Sequence, residues 1–93
     1  MSDDSNADDT VQLWLVERSY DTRNLITLIY ATPDGERYLQ KERSAHLLSG
    51  DGVTVAVDVT PDELAPVGDE ETRERYEQEA QRMRERHAPD ETV

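Results

Sequence analysis

The feature that most constrains the fold is an apolar run followed at once by a turn motif. Leu25-Ile-Thr-Leu-Ile-Tyr-Ala31 precedes Thr32-Pro-Asp-Gly-Glu36. Pro33 suits the first central position of a type I turn, and Gly35 can take the left-handed conformation that completes a bulged hairpin. Because the run is apolar on both faces, it predicts a central strand. We therefore expect a hairpin whose second strand spans 36–43.

The register of this hairpin follows from the length of the turn. If Thr32 faces Glu36, then Tyr30 lies opposite Tyr38, and such aromatic cross-strand pairs contribute about 0.2–1 kcal/mol. Strand residues alternate between faces. The strand 36–43 therefore presents a basic face, which carries Arg37, Leu39, Lys41 and Arg43.

The remaining elements follow from hydrophobic periodicity and capping signals. Residues 11–17 read as a first strand, and the alternating valines of 53–59 read as a half-buried strand with Val53, Val55, Val57 and Val59 on one face. Ser44 to Leu48 is expected to form one helical turn, Gly50-Asp-Gly52 a turn, and Thr60-Pro-Asp-Glu63 a capping box.

A helix over 70–87, with Asp69 as its N-cap, closes the domain. Its apolar stripe is narrow and suits one sheet face or a partner, and it consists of Thr72, Tyr76, Ala80, Met83 and His87. Glu71–Arg75 and Glu79–Arg82 have the spacing of surface ion pairs.

These elements predict an α+β fold, in which an antiparallel sheet of three to four strands forms a meander followed by a C-terminal helix. We expect one domain over 11–88, a disordered acidic tail over 1–10 and a frayed end over 89–93.

The charge of the chain is strongly acidic. The sequence has 22 Asp and Glu against 10 Lys and Arg, a net charge of -12 in 93 residues, and Lys41 is the only lysine. Self-repulsion at this density opposes compaction unless salt screens it. The composition predicts a protein of a salt-rich cytoplasm; a GC-rich genome is a second explanation for the excess of arginine.

Several functional classes have no matching pattern in the sequence. The chain has no cysteine, its four glycines form no phosphate-binding loop, and His46 and His87 have no metal-ligand spacing. We therefore predict no catalytic residue, no cofactor and no metal site. The N-terminal residues lack the pattern of a signal peptide, and no apolar run approaches the ~18 residues of a membrane span, so we expect a cytoplasmic protein without membrane contact.

Two functional hypotheses from different classes remain open. One is a non-enzymatic interaction module, homodimeric through an open sheet face or through Tyr76, Ala80 and Met83. The other is a nucleic-acid-associated regulator that contacts phosphate through Arg37, Lys41 and Arg43, unless these cations pair with nearby acids. Aromatic side chains could stack on bases if exposed, namely Trp14, Tyr20, Tyr30 and Tyr38.

The chain resembles the small acidic proteins of unknown function found in haloarchaea. The resemblance rests on the acidic ends, the single lysine and two segments, Ile29-Tyr-Ala-Thr-Pro-Asp-Gly-Glu-Arg-Tyr38 and Glu74-Arg-Tyr-Glu-Gln-Glu-Ala-Gln-Arg-Met-Arg-Glu-Arg-His87. It spans most of the chain and implies a salt-adapted habitat, but it transfers no activity and no site residue.

Overall fold

The computed structural model describes residues 10–44 and 53–93. It contains five strands and one long helix, with a 3-10 turn at Pro61–Glu63. We number the elements β1 (Val11–Tyr20), β2 (Leu25–Ala31), β3 (Arg37–Ser44), β4 (Ala56–Val59), β5 (Ala65–Pro66) and α1 (Glu70–Arg86). The predicted α+β class, an antiparallel sheet followed by a C-terminal helix, is confirmed. The acidic tail up to Asp9, the turns expected within 45–52 and His46 lie outside the described residues.

The five strands form one sheet in the order β4-β1-β2-β3-β5. The first three strands make the expected meander, and β4 returns to pair with β1 instead of lying beside β3. The sequence indicates why β1 takes a central position: Leu13, Trp14 and Leu15 are consecutive and all buried, so both faces of β1 need cover. The short strand β5, which the sequence did not predict, pairs with Arg37 and Tyr38 at the other edge.

The turn between β2 and β3 has the predicted left-handed glycine, but the register differs by one residue. Gly35 has φ 74°, and its N–H donates to the Thr32 carbonyl over 2.8 Å. The Thr32 N–H donates to the Arg37 carbonyl, so Thr32 pairs with Arg37 and not with Glu36. Glu36 is an extra loop residue, because its N–H is held by the Asp34 carboxylate at 3.0 Å.

This shift separates two tyrosines that the sequence placed opposite each other. Tyr30 pairs with Leu39, and Ala31 pairs with Tyr38. Tyr38 therefore lies on the face that contacts α1, where its ring centroid is 6.4 Å from that of Tyr76. Tyr30 lies on the opposite face. We call these the helix face and the distal face.

Each face carries its own apolar cluster. On the helix face, Trp14, Val55 and Ala56 pack with Ala80 of α1. The distal cluster contains Leu13, Leu15, Ile26, Leu28, Tyr30, Val53 and Val59. The four valines were expected to share one face, and that prediction is wrong: Val55 belongs to the helix-face cluster, whereas Val53, Val57 and Val59 belong to the distal one. The alternation fails because the regular strand begins only at Ala56.

The C-terminal residues pair with the segment that precedes β4. The N–H of Val53 donates to the Val93 carbonyl, the N–H of Val93 donates to the Val53 carbonyl, and the N–H of Val55 donates to the Glu91 carbonyl. Residues 91–93 therefore form a short paired segment where a frayed end was expected. The His87 ring nitrogen Nδ1 lies 2.8 Å from the Glu91 carboxylate, a side-chain contact at the turn into this segment.

The helix α1 begins and packs as its sequence predicts. The Asp69 carboxylate accepts the Thr72 N–H at 3.0 Å. The stripe faces the sheet, and Tyr76 and Ala80 are buried. The expected Glu79–Arg82 pair is present at 3.4 Å. Arg75, however, pairs with Glu17 of β1 at 3.6 Å and not with Glu71, because the packing of α1 on the sheet brings the Glu17 carboxylate close to Arg75.

Candidate functional site

The distal face of β3 carries the basic residues that the sequence singled out. Tyr38 contacts α1, so strand alternation places Arg37, Leu39, Lys41 and Arg43 on the distal face. Lys41 pairs with Leu28, and Arg43 pairs with Ile26, both of which are buried members of the distal cluster. The cations therefore stand at the rim of an apolar surface, beside the outer edge of the sheet.

Lys41 and Arg43 border a pocket of about 160 Å³. Its other described lining residues are Leu28, Tyr30, Val53, Thr54 and Val57. The segment around Thr54 crosses the distal face, because the Tyr30 hydroxyl donates to the Thr54 carbonyl over 2.9 Å. This pocket is smaller than the roughly 300 Å³ at which drug-sized ligand sites begin, so it suits a side chain of a larger partner better than a whole cofactor.

Sequence reasoning missed the part that Thr54 plays in this pocket. A tyrosine in an apolar strand was the available signal, because a buried tyrosine hydroxyl usually has a hydrogen-bond partner. The partner lies 24 residues away along the chain, and nothing in the local pattern around Thr54 identifies it.

Arg37 lies apart from the other two cations, at the hairpin end of β3. It borders a different hollow, together with Pro33, Asp34, Pro61 and Leu64. The pKa of Asp34 is lowered, mainly because the Thr32 hydroxyl donates to its carboxylate at 2.6 Å, and the charge of Arg37 lowers that pKa further. The structure thus brings Lys41 and Arg43 together at one pocket. Arg37 lies instead at the turn, where its charge acts on Asp34.

The sequence left open that Arg37, Lys41 and Arg43 pair with nearby acids, but none of them forms an ion pair in the described part of the chain. The ion pairs there are Arg23–Asp21, Arg75–Glu17, Arg82–Glu79 and His87–Glu91. Arg43 instead donates to the main-chain carbonyl of Glu42 over 3.0 Å. Within 10–44 and 53–93, neither Lys41 nor Arg43 has a carboxylate within 4.0 Å.

The aromatic side chains differ sharply in exposure. Trp14 and Tyr30 are 3% and 2% exposed and form part of the core, so neither can stack on a base in this structure. Tyr38 is half-buried against α1. Tyr20 is 71% exposed and shares the distal face with Arg43, since both pair with Ile26. Of the four, Tyr20 alone therefore offers an exposed ring on the face that carries the cations, one strand away from Arg43 across β2.

The residues predicted for self-association belong to the contact between α1 and the sheet. Tyr76 is 7% exposed and Ala80 is fully buried. Met83 packs against both apolar clusters. The distal face is also covered within the single chain, because Ile26, Leu28 and Tyr30 are all buried. Little of either surface is left for a second copy while α1 stays docked.

The described carboxylates with displaced pKa values hold turns and helix ends. The pKa of Asp21 is lowered mainly by the Arg23 side chain, and that of Asp69 mainly by the Thr72 N–H. A catalytic acid at neutral pH needs the opposite shift. Within 10–44 and 53–93, no three His, Asp or Glu side chains are placed to hold a metal ion. In the same part of the chain, no helix is long and apolar enough to cross a membrane.

Comparison with known proteins identifies a family whose function is unknown. A family model described as DUF7967, a family of unknown function, matches residues 7–93. Because this match covers most of the chain, the protein belongs to that family. Neither the curated proteins nor the solved structures include a significant match to the chain.

Proposed function

We propose that this protein is a small non-enzymatic interaction module that binds an anionic partner through Lys41 and Arg43. One observation carries the proposal: the two cations stand together on the distal face without a carboxylate partner among the described residues. Two neighbouring cations that have no carboxylate partner in the described part of the chain can bind a partner's acids. A partner that covers them gains charge-assisted hydrogen bonds, which are roughly twice as strong as neutral ones.

The net charge of -12 is compatible with an anionic partner in a salt-rich cytoplasm, which we propose as the setting of this family member. At molar salt the Debye length is only about 3 Å, so salt screens the repulsion between an anionic ligand at Lys41 and Arg43 and the acids elsewhere on the chain. At low salt those acids would repel the same ligand. We therefore expect an anionic ligand to bind these two residues most tightly where salt screens the net negative charge of the chain.

A binding titration with paired variants tests this proposal. Because Trp14 is buried, the reporter should be a fluorescein-labelled probe, here polyglutamate, followed by anisotropy in molar KCl. We expect Lys41→Gln with Arg43→Gln to weaken binding about tenfold or more, since each charged hydrogen bond contributes about 1.5–3 kcal/mol.

The matched control is Arg84→Gln with Arg86→Gln, which removes the same charge from the exposed end of α1. It should leave the affinity within about twofold if the site is local, because distant charges are screened. Equal losses in both double variants would show that only net charge matters and would overturn the proposal.

Nucleic acid is a second candidate partner, favoured by the exposed ring of Tyr20 on the same face as Arg43. Base–aromatic stacking contributes about 1–3 kcal/mol per base. Labelled single-stranded DNA and RNA therefore belong in the same titration, across salt down to the lowest concentration that keeps the fold. Tyr20→Ala should weaken nucleic-acid binding at least fivefold and leave polyglutamate binding unchanged.

Homodimerisation through Tyr76, Ala80 and Met83 stays a prediction for the same molecule. In the single chain these residues pack against the sheet, so a dimer through them requires α1 to leave its site. Light scattering after size exclusion in molar KCl measures the mass directly. A monomer at all concentrations would remove the dimer and leave the proposed binding at Lys41 and Arg43 intact.

A further inference from the structure

On the outer edge of β3, the N–H groups of Gln40 and Glu42 have no main-chain partner among the described residues. The strand β5 pairs only with Arg37 and Tyr38, so the stretch 39–44 forms an edge of the sheet within the described chain. Gln40 and Glu42 are both exposed on this stretch. An unpaired edge of this length is a template on which an extended segment can add as a further strand.

The direction of each main-chain group follows from the hydrogen bonds at the hairpin end. The Arg37 carbonyl accepts from Thr32 on the β2 side, and the Glu36 carbonyl accepts from Val67 on the outer side. Because hydrogen-bonding direction alternates along an antiparallel strand, the N–H and C=O of Gln40 and Glu42 point outward. The Glu42 carbonyl already accepts the Arg43 side chain over 3.0 Å, so an incoming strand would bond chiefly to the two N–H groups and the Gln40 carbonyl.

The side chains beside this edge identify the chemistry of an incoming strand. A residue that adds opposite Lys41 or Arg43 lies on the distal face next to a cation. Opposite-charge pairs across strands are favourable, so acids are preferred at these two positions. The intervening residues would lie beside Gln40 and Glu42, where another acid is repelled. The edge is therefore complementary to an extended segment with acids at alternate positions.

A second copy of β3 is a poor occupant of the same edge. Opposite residues of a two-fold related antiparallel pair share a face of the sheet. A pair centred on Gln40, Lys41 or Glu42 would then place Arg37, Lys41 or Arg43 opposite a cation of the other copy. Like charges directly opposite destabilise strand pairs. The basic residues of β3 thus oppose self-pairing at this edge.

We propose that this protein captures an extended acidic segment of a partner protein by strand addition to the 39–44 edge of β3. The inference rests on the proposed function and specifies how the anionic partner is held. Main-chain hydrogen bonds to Gln40 and Glu42 supply part of the affinity, and Lys41 with Arg43 selects acids at alternate positions.

The experiment uses an end-blocked synthetic peptide, Thr-Glu-Val-Glu-Val-Glu-Thr, with the full-length ¹⁵N-labelled protein in molar KCl. We expect amide hydrogen exchange at Gln40 and Glu42 to slow at least fivefold when the peptide is added. A peptide of the same composition with its glutamates in one block should bind at least threefold more weakly. N-methylation of the peptide at alternate residues, on the edge that faces β3, should abolish the slowing.

A pair of variants tests the main-chain contact from the protein side. Glu42→Pro removes the outward N–H, and it breaks no bond to β2 because that N–H faces away from the sheet. Glu42→Thr keeps the N–H and removes the same carboxylate. We expect the proline variant to bind the peptide about three- to tenfold more weakly than the threonine variant, the loss of one hydrogen bond.

The possible outcomes show which of the two proposals fails. If Lys41→Gln weakens binding but Gln40 and Glu42 exchange at unchanged rates, and the two Glu42 variants bind alike, strand addition is wrong and the proposed function stands. If neither this peptide nor polyglutamate binds at millimolar concentration, both proposals are overturned. Far-ultraviolet circular dichroism confirms that the proline variant keeps its sheet; if it does not, the exchange data and the N-methylated peptide decide alone.

Discussion

At the scale of single residues, Gly35 connects the hairpin to the helix. Its φ of 74° lies in the left-handed region, and a Cβ at this position would lie 2.2 Å from the Arg73 carbonyl oxygen. Close by, the Gln81 side-chain amide donates to the Pro33 carbonyl over 3.1 Å. The turn therefore packs directly on α1, and the absence of a side chain at Gly35 sets how closely the two approach.

Substitution of Gly35 should cost more than a turn glycine normally does. Gly35→Ala adds a left-handed strain of about 1–2 kcal/mol to a backbone clash, so we expect the free energy of unfolding to fall by about 2 kcal/mol or more. Urea denaturation in molar KCl measures it. Gly68→Ala is the control, because nothing lies within 4 Å of a Cβ there and its φ is not left-handed. Equal effects from both substitutions would contradict this account of Gly35.

The two properties of Gly35 differ in how well the sequence reveals them. Its left-handed backbone follows from Pro33-Asp-Gly35, because turn conformation is decided by neighbouring residues. Its contact with α1 joins residues almost forty positions apart, and no local pattern encodes that distance. The shared face of Lys41 and Arg43 was likewise evident from their alternate positions on one strand. The pocket that they form with Thr54 depends on a segment distant in sequence, so the local pattern did not reveal it.

At the scale of elements, the hydrophobic pattern predicted where strands lie better than how they pair. The strand β2 and the helix α1 were predicted almost to the residue, since both have strong periodicity. The hairpin register was wrong by one because the Asp34 carboxylate holds the Glu36 N–H, an interaction that alternation cannot detect. That one step placed Tyr38 on the helix face and Tyr30 in the distal core.

The pairing of 91–93 with the segment before β4 gives a prediction at this scale. The amides of Val53 and Val55 donate to carbonyls of Val93 and Glu91, so their hydrogen exchange should be slow. Val93→Pro removes the return donor, the N–H that bonds to the Val53 carbonyl, and should speed exchange at Val53 several-fold. Val93→Ala keeps that N–H and serves as the control. Fast exchange at both amides in the unaltered protein would support the frayed end that the sequence suggested.

At the scale of the whole molecule, the described acids include some that hold turns or the start of α1 and others that stand exposed. Within the described chain, those with lowered pKa values serve turns and the start of α1, as Asp21, Asp34 and Asp69 do. Others, such as Glu74 and Glu85, stand exposed along α1 without a basic partner within 4.0 Å in the same described part. Their mutual repulsion acts on the folded state and weakens as salt is added.

Stability should therefore rise with salt through the screening of exposed acids. We expect the melting temperature to increase by about 5–15 °C between low and molar KCl, since about 1 kcal/mol shifts a domain of this size by roughly 4–8 °C. Glu74→Gln with Glu85→Gln should reduce that increase, because it removes two of the repelling charges. Arg84→Gln with Arg86→Gln should enlarge it, because the net charge becomes more negative by the same amount. Calorimetry at matched protein concentration compares the three proteins. A melting temperature that is flat with salt, or that responds alike in both double variants, would mean that specific contacts and not bulk charge set the stability of this fold.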